Sequence, residues 1–362
     1  MDHWGRLVTF IVFVLFSIPV LKTAAEKGHI PALFSFGDSI LDTGNNNNLA
    51  TYSKCNYPPY GRDFYGGIAT GRFCNGRNPS DLIAEALGIK ATLPAYLDSN
   101  LRTEDLPTGV SFASGGSGID SLTSQLQGVL SLSTQLGLFK DYIGRLRAVV
   151  GQQRASYIIS NSLYLISAGN NDIAFTYYAT LGQLQPFSSY ANTLVEGASS
   201  FVKSLYELGA RRVFVLSTLP LGCLPGGRTV AGGPLRICAP IVNQQAQSFN
   251  GQLSSAVYSI RSDLPNFDIR FIDVYTPLLN LIQNPLSEGF MDVAEACCGS
   301  GLFGDSEACT LFSVCPDATS YVFWDFAHPT ERAYKFVVSS VLRSSNVTSS
   351  SGFSPVNYSL SH

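Results

Sequence analysis

Charge is scarce in this chain. Asp, Glu, Lys and Arg make up 14 % of its 362 residues, against roughly a quarter in ordinary soluble domains. The formal net charge is −3, with no long run of either sign. That balance excludes the concentrated basic footprint a nucleic-acid binder needs. Long apolar runs are also missing. The longest, Leu7 to Leu21, is shorter than the roughly 20 residues that span a bilayer. No two cysteines stand in C-x-x-C spacing and none clusters with histidine, so no zinc site is indicated. G-x-S-x-G, the nucleophile elbow of one large hydrolase fold, is absent. Histidine occurs only four times. Hydrophobic residues, by contrast, reach 45 %, enough for a large core and too many for global disorder.

The amino end reads as a secretory signal peptide over residues 1–25. Arg6 supplies the positive region, Leu7 to Leu21 the apolar run, and Thr23-Ala24-Ala25 small residues for cleavage. Export to the extracellular space, apoplast or cell wall, is therefore expected, with no transmembrane segment left after cleavage. Cysteine usage agrees. The eight cysteines are an even set, which an oxidising compartment favours pairing. Adjacent Cys297 and Cys298 are expected to bond to Cys309 and Cys315. Cys223–Cys238 and Cys55–Cys74 would complete one of the 105 connectivities open to eight cysteines. Sequons at Asn346 and Asn357 are candidate glycosylation sites. Both fall in a Ser-rich tail, residues 344–362, expected to be disordered.

Between these ends, strands and helices alternate. Short apolar runs at Ala32–Phe36, Val110–Ala113, Leu163–Ser167, Val213–Ser217 and Ile269–Val274 read as buried strands. Helical spacing is clearest from Ile241 to Leu264, with further helices near 78–87, 133–150 and 190–208 and one starting at Pro329. Alternation of this kind implies a parallel sheet covered on both faces. With no repeat and no linker, residues 26–343 form one expected domain. Ligands of such sheets bind beyond the carboxyl ends of the strands, so the residues just after strands one, two and three matter most.

Histidine scarcity narrows the chemistry. His3 lies in the expected signal peptide, His29 at the start of the mature chain, and His362 is the last residue. Only His328 stands in a well-patterned region. Asp325, three residues upstream, is close enough to orient its ring, although D-x-x-H also suits an ordinary turn. Ser39 follows strand one directly, where a hydroxyl stands at the mouth of the sheet; a helix cap is the blander reading. Ser114-Gly115-Gly116-Ser117-Gly118 follows strand two and lets backbone N–H groups approach a ligand. Gly169-Asn170-Asn171-Asp172 follows strand three. It has good turn chemistry, and an Asn amide there could serve a developing oxyanion.

Taken together these loops resemble the four blocks of the GDSL esterase/lipases, members of the SGNH hydrolases. The matching stretches, in order, are Gly37-Asp38-Ser39-Ile40-Leu41-Asp42-Thr43-Gly44-Asn45-Asn46, Ala113-Ser114-Gly115, Gly169-Asn170-Asn171-Asp172 and Asp325-Phe326-Ala327-His328. The plant branch is similar in further stretches: Pro58-Pro59-Tyr60-Gly61, Thr70-Gly71-Arg72-Phe73, Gly222-Cys223, Cys297-Cys298-Gly299 and Phe323-Trp324. The resemblance covers nearly the whole mature chain. It implies a flavodoxin-like three-layer α/β/α sandwich with a five-stranded parallel sheet. It implies Ser39 as nucleophile, His328 as base and Asp325 as its orienter. The oxyanion hole would comprise the backbone N–H groups of Ser39 and Gly115 and the Asn171 side chain. Ile40 stands where the family usually has Leu, and Ser111 where the plant branch usually has Asn.

The expected function is a secreted serine esterase or lipase, with no metal or cofactor, expected to act as a monomer on acyl lipids, cutin-like polyesters or acetylated polysaccharides. Two alternatives remain open in the sequence: an acyltransferase using the same site, and a non-catalytic wall protein that binds carbohydrate or lipid.

Overall fold

The computed structural model of the chain describes residues 30–180, 184–299, 309 and 314–344. The signal-peptide expectation, the Ser-rich tail from residue 345 onward and the sequons at Asn346 and Asn357 lie outside these residues, while Ser344, expected to open that tail, ends the last helix.

Four strands form a parallel sheet in the order β1 (Leu33–Gly37), β2 (Leu163–Ser167), β3 (Arg212–Leu216) and β4 (Asp268–Ile272). Every residue of β1 and β2 is buried, as their unbroken apolar runs require in a sheet covered on both sides. The remaining expected strand, Val110–Ala113, is present only as isolated bridges of Ser111, to Ser35 on one side and Ala95 on the other. It still runs beside β1, with Phe112 N–H donating to Ser35 O at 2.8 Å and Ser114 N–H to Gly37 O at 2.9 Å. Its regularity is broken by a side chain: Asn45 Nδ2 donates to both Ser111 O and Ala113 O. Ser111, the unusual residue here, uses its hydroxyl to reach Leu41 O at 2.9 Å.

Counting that segment, the spatial order of the five is second, first, third, fourth, fifth in sequence. This flavodoxin-like order reverses direction between the first and third segments, β1 and β2, and a crevice opens at such a switch point.

Helices cover both faces. On one side α3 (Leu132–Val150), α5 (Phe187–Glu207) and α7 (Pro240–Asp263) pack in a row. On the other lie α1 (Pro79–Ala86), α9 (Glu331–Ser344) and α8 (Tyr275–Gln283). The short α2 (Ser121–Gln127), α4 (Gln152–Asn161) and α6 (Pro225–Ala231) complete the set used below. Asn78 caps α1 in a reciprocal box with Asp81, which is why that helix starts at Pro79. The last helix begins at Glu331, two residues later than its Pro329 suggested. Pro329 instead bridges Phe323, and this bridge bounds the turn that carries His328.

A second, two-stranded sheet, β5 (Asp292–Ala296) and β6 (Tyr321–Phe323), leads into that turn. Neither strand is visible as a pattern in the sequence. Disulfides Cys297–Cys315 and Cys298–Cys309 pin the adjoining chain, and Cys223–Cys238 closes the segment containing α6. The expected Cys55–Cys74 pair is not formed, and both are buried thiols. Each has its own partners: Cys74 Sγ donates to Asn75 Oδ1 at 3.3 Å, and Cys55 is hydrogen-bonded to Tyr60.

Candidate active site

Gly37 ends β1 with φ of 113°. A side chain there would collide with Ser167 O at 1.7 Å, so only glycine lets the end of β1 lie this close to β2 in this conformation. The next residue, Asp38, is fully buried and knits the loops together. Its carboxylate accepts from Ile40 N, Ser167 Oγ and Asn170 Nδ2 at 2.8–3.1 Å. Burial pushes its pKa up to about 6, against the pull of those bonds. Ser39 follows at the mouth of the crevice.

The histidine turn meets it there. His328 Nε2 lies 2.7 Å from Ser39 Oγ. Its Nδ1 lies 2.8 Å from both carboxylate oxygens of Asp325. Asp325 also accepts the backbone N–H groups of Ala327 and His328, at 2.9 and 2.8 Å. These bonds fold D-F-A-H into a tight turn, and they fix the carboxylate before any substrate arrives. With Asp325 as acceptor, the tautomer carries its proton on Nδ1 and turns the Nε2 lone pair to Ser39. The ring also packs on Phe73, centroids 5.1 Å apart.

Two contacts of this cluster were not legible in the sequence. Tyr60 is buried and donates its hydroxyl to Asp325 Oδ2 at 2.7 Å. Phe73 sets the position of the second loop, because a Cβ on Gly115 would meet the Phe73 ring at 2.2 Å. Both residues sit in the stretches that resemble the plant branch, and that was the only signal available.

The oxyanion expectations need one correction. Gly115 has no N–H to spare, since it donates to Asp42 Oδ2 at 2.8 Å. Asp42 is buried and also accepts Gly44 N and Asn45 N at 2.8 Å. Burial pushes its pKa up to about 6. The neighbouring Gly116 lines the cavity, and its N–H has no partner among the described residues. The Ser39 N–H is likewise unspent among them. Of the two asparagines, Asn170 is the more heavily engaged: its Nδ2 gives one hydrogen to Asp38 and its Oδ1 accepts Leu219 N at 3.0 Å, so both ends of its amide are held. Asn171 Nδ2 donates once, to Ser117 O at 2.9 Å, which leaves its second amide hydrogen free. Asp172 anchors this loop to the second one through Ile119 N, Asp120 N and Thr123 Oγ1.

Ser39 and His328 open into a cavity of about 780 Å³. Leu219, Leu221, Leu224, Val230 and Val242 form much of its wall. Among the described residues no cluster of His, Cys, Asp and Glu is arranged to hold a metal ion.

Comparison with known proteins decides the family. The family model described as GDSL-like Lipase/Acylhydrolase matches residues 33–341. The chain belongs to the GDSL lipase/acylhydrolase family. It is 46 % identical over 341 residues to the GDSL esterase/lipase EXL3 of Arabidopsis thaliana, covering 93 % of each chain. Another GDSL esterase/lipase of that plant is 52 % identical over 331 residues, 91 % of this chain and 93 % of the relative. Among solved structures, an extracellular lipase from Streptomyces rimosus aligns with a TM-score of 0.40 at 15 % identity, covering 86 % of this chain and 99 % of that one. An acetylxylan esterase from Geobacillus stearothermophilus aligns with 0.39 at 12 %, covering 92 % and 99 %. This GDSL protein is thus a carboxylic ester hydrolase. No helix among its described residues is long and apolar enough to cross a membrane.

Proposed function

We propose that the chain is a secreted serine esterase acting on acyl esters through Ser39, His328 and Asp325. One observation carries the reading: the unbroken relay from Asp325 to His328 Nδ1 and from His328 Nε2 to Ser39 Oγ, with steps of 2.8 and 2.7 Å, opening into an apolar cavity.

In this reading Ser39 Oγ attacks the ester carbonyl carbon as its proton passes to His328 Nε2. Asp325 stabilises the imidazolium and stays ionised. The oxyanion is held by the Ser39 N–H, the free amide hydrogen of Asn171 and the N–H of Gly116, in place of Gly115. His328 then gives its proton to the departing alcohol oxygen. Water attacks the acyl-enzyme with His328 again as base, and the carboxylic acid leaves. No step calls for a metal or cofactor. The wall from Leu219 to Val242 suits a hydrocarbon acyl chain. The aminoterminal run and the three disulfides support export to the cell exterior.

The test is labelling by a fluorophosphonate, with Ser39→Ala alongside. Wild type should label at Ser39 and hydrolyse p-nitrophenyl esters. The variant should do neither while keeping its circular dichroism. Turnover by Ser39→Ala within tenfold of wild type would end the assignment.

A further inference from the structure

The cavity over Ser39 has two unlike walls. Leu219, Leu221, Leu224 and Val230 come from the chain that follows β3, and Val242 from the start of α7. Their side chains are hydrocarbon only. The other wall holds Gly116, Ser53 and Gln127. The sheet sets the two apart. The segment leading to Gly116 flanks β1 on one side, while β2 and then β3 lie on the other. Ser39, at the end of β1, stands between them.

The polar wall is held in place by its own bonds. Ser53 Oγ donates to Gln127 Oε1 at 2.9 Å. Thr51 Oγ1 donates to Gln127 O at 2.6 Å, and Asn46 Nδ2 to Ser53 O at 2.7 Å. A Cβ on Gly116 would stand 3.2 Å from both Ser53 Oγ and Gln127 Cβ, so the loop closes directly on the pair. After these bonds the Gln127 Nε2 amide has no partner among the described residues. The Ser53 oxygen keeps its capacity to accept. An unspent amide and a hydroxyl facing a hydrocarbon wall across a nucleophile match an ester with an apolar acid and a polar alcohol.

We propose that Ser53 and Gln127 form an alcohol-side subsite, selecting esters whose leaving alcohol carries further hydroxyl groups, as in a glycerol monoester. This rests on Ser39 being the nucleophile. A bare alkoxy group would leave the Gln127 amide unpaired as the cavity fills, and an unpaired donor costs more than a paired one returns.

The experiment compares kcat/KM for glycerol monooctanoate and methyl octanoate, both below their micelle concentrations, measured by acid release. The acyl part is shared, so the ratio reads only the alcohol side. Wild type should prefer the glycerol ester by about tenfold, and Ser53→Ala combined with Gln127→Ala should bring the ratio near one. Gln127→Glu, which keeps the shape and removes the amide donor, should also lower the ratio should the double variant fold poorly. A wild type without preference, or variants that keep it, overturns the subsite. An equal loss on both esters does so too, and makes the pair a tie between loops. Failure of wild type on both esters, with no fluorophosphonate label on Ser39, removes the catalytic reading itself and the subsite with it.

Discussion

The hydroxyl of Tyr60 donates a 2.7 Å hydrogen bond to Asp325 Oδ2 across 265 residues of chain. The carboxylate that faces His328 is thereby held from the side chain of a distant loop as well as from its own turn. Tyr60→Phe keeps the ring and its edge contact with Trp324 and removes this donor together with the bond to Cys55. In the proposed mechanism kcat falls about tenfold with little change in KM. A wild-type kcat in Tyr60→Phe would make Tyr60 a packing residue only.

Asp325→Asn goes further, because an amide disfavours the Nδ1-protonated tautomer. A comparable change in a well-studied triad costs about 10⁴ in kcat, and the same order is expected here. Asn171→Ala removes one oxyanion donor and should cost roughly 10²–10³. Asn170→Ala breaks the bonds to Asp38 and Leu219 and should mainly lower the melting temperature. Steady-state kinetics corrected by active-site titration separate the three. Equal kcat losses for the two asparagines would contradict their division of labour.

The buried carboxyls of Asp38, Asp42 and Asp172 are each pushed up to about 6 by burial. Unfolded, they titrate near about 3.9. The native state therefore holds their protons to higher pH than the unfolded state does. Their contribution to stability is full below about pH 4 and is lost as pH rises through about 6. The melting temperature should fall across that window, and the fall should be shallower in Asp172→Asn. Calorimetry at several pH values checks it. A melting temperature that climbs over the same window contradicts the sign.

Arg72 and Asp81 form a buried two-pronged ion pair, both contacts at 2.7 Å. Arg72 also donates to Leu93 O and Thr43 O. Arg72→Ala strands the Asp81 charge in the interior and should cost about 3–5 kcal/mol. Urea unfolding measures this. A loss under about 1 kcal/mol would mean that water reaches the site.

Thiol chemistry tests the cysteine assignment. Three disulfides leave Cys55 and Cys74 reduced. Burial pushes both thiols well above their ordinary range, so neither should react in the native protein. Denatured without reductant, the chain should release two titratable thiols. Finding none would mean that Cys55 and Cys74 are bonded after all.

The architecture was largely legible along the chain. The buried runs at 163–167 and 213–217 and the helical period from 241 to 264 are local signals, set by the residues' own neighbours. His328 emerged by scarcity, and Ser39 by its place after the first strand. The finer choices within the candidate site were not local. Gly115 and Gly116 are equivalent on paper, yet the N–H of Gly115 is claimed by Asp42, 73 residues away. Asn170 and Asn171 are chemically identical, and what separates them is Asp38 and Leu219 closing on the first. Tyr60 and the lone thiols of Cys55 and Cys74 follow the same rule. Which donors are already spent depends on groups that the parallel crossovers bring together, and pairings so distant in sequence leave no period to read.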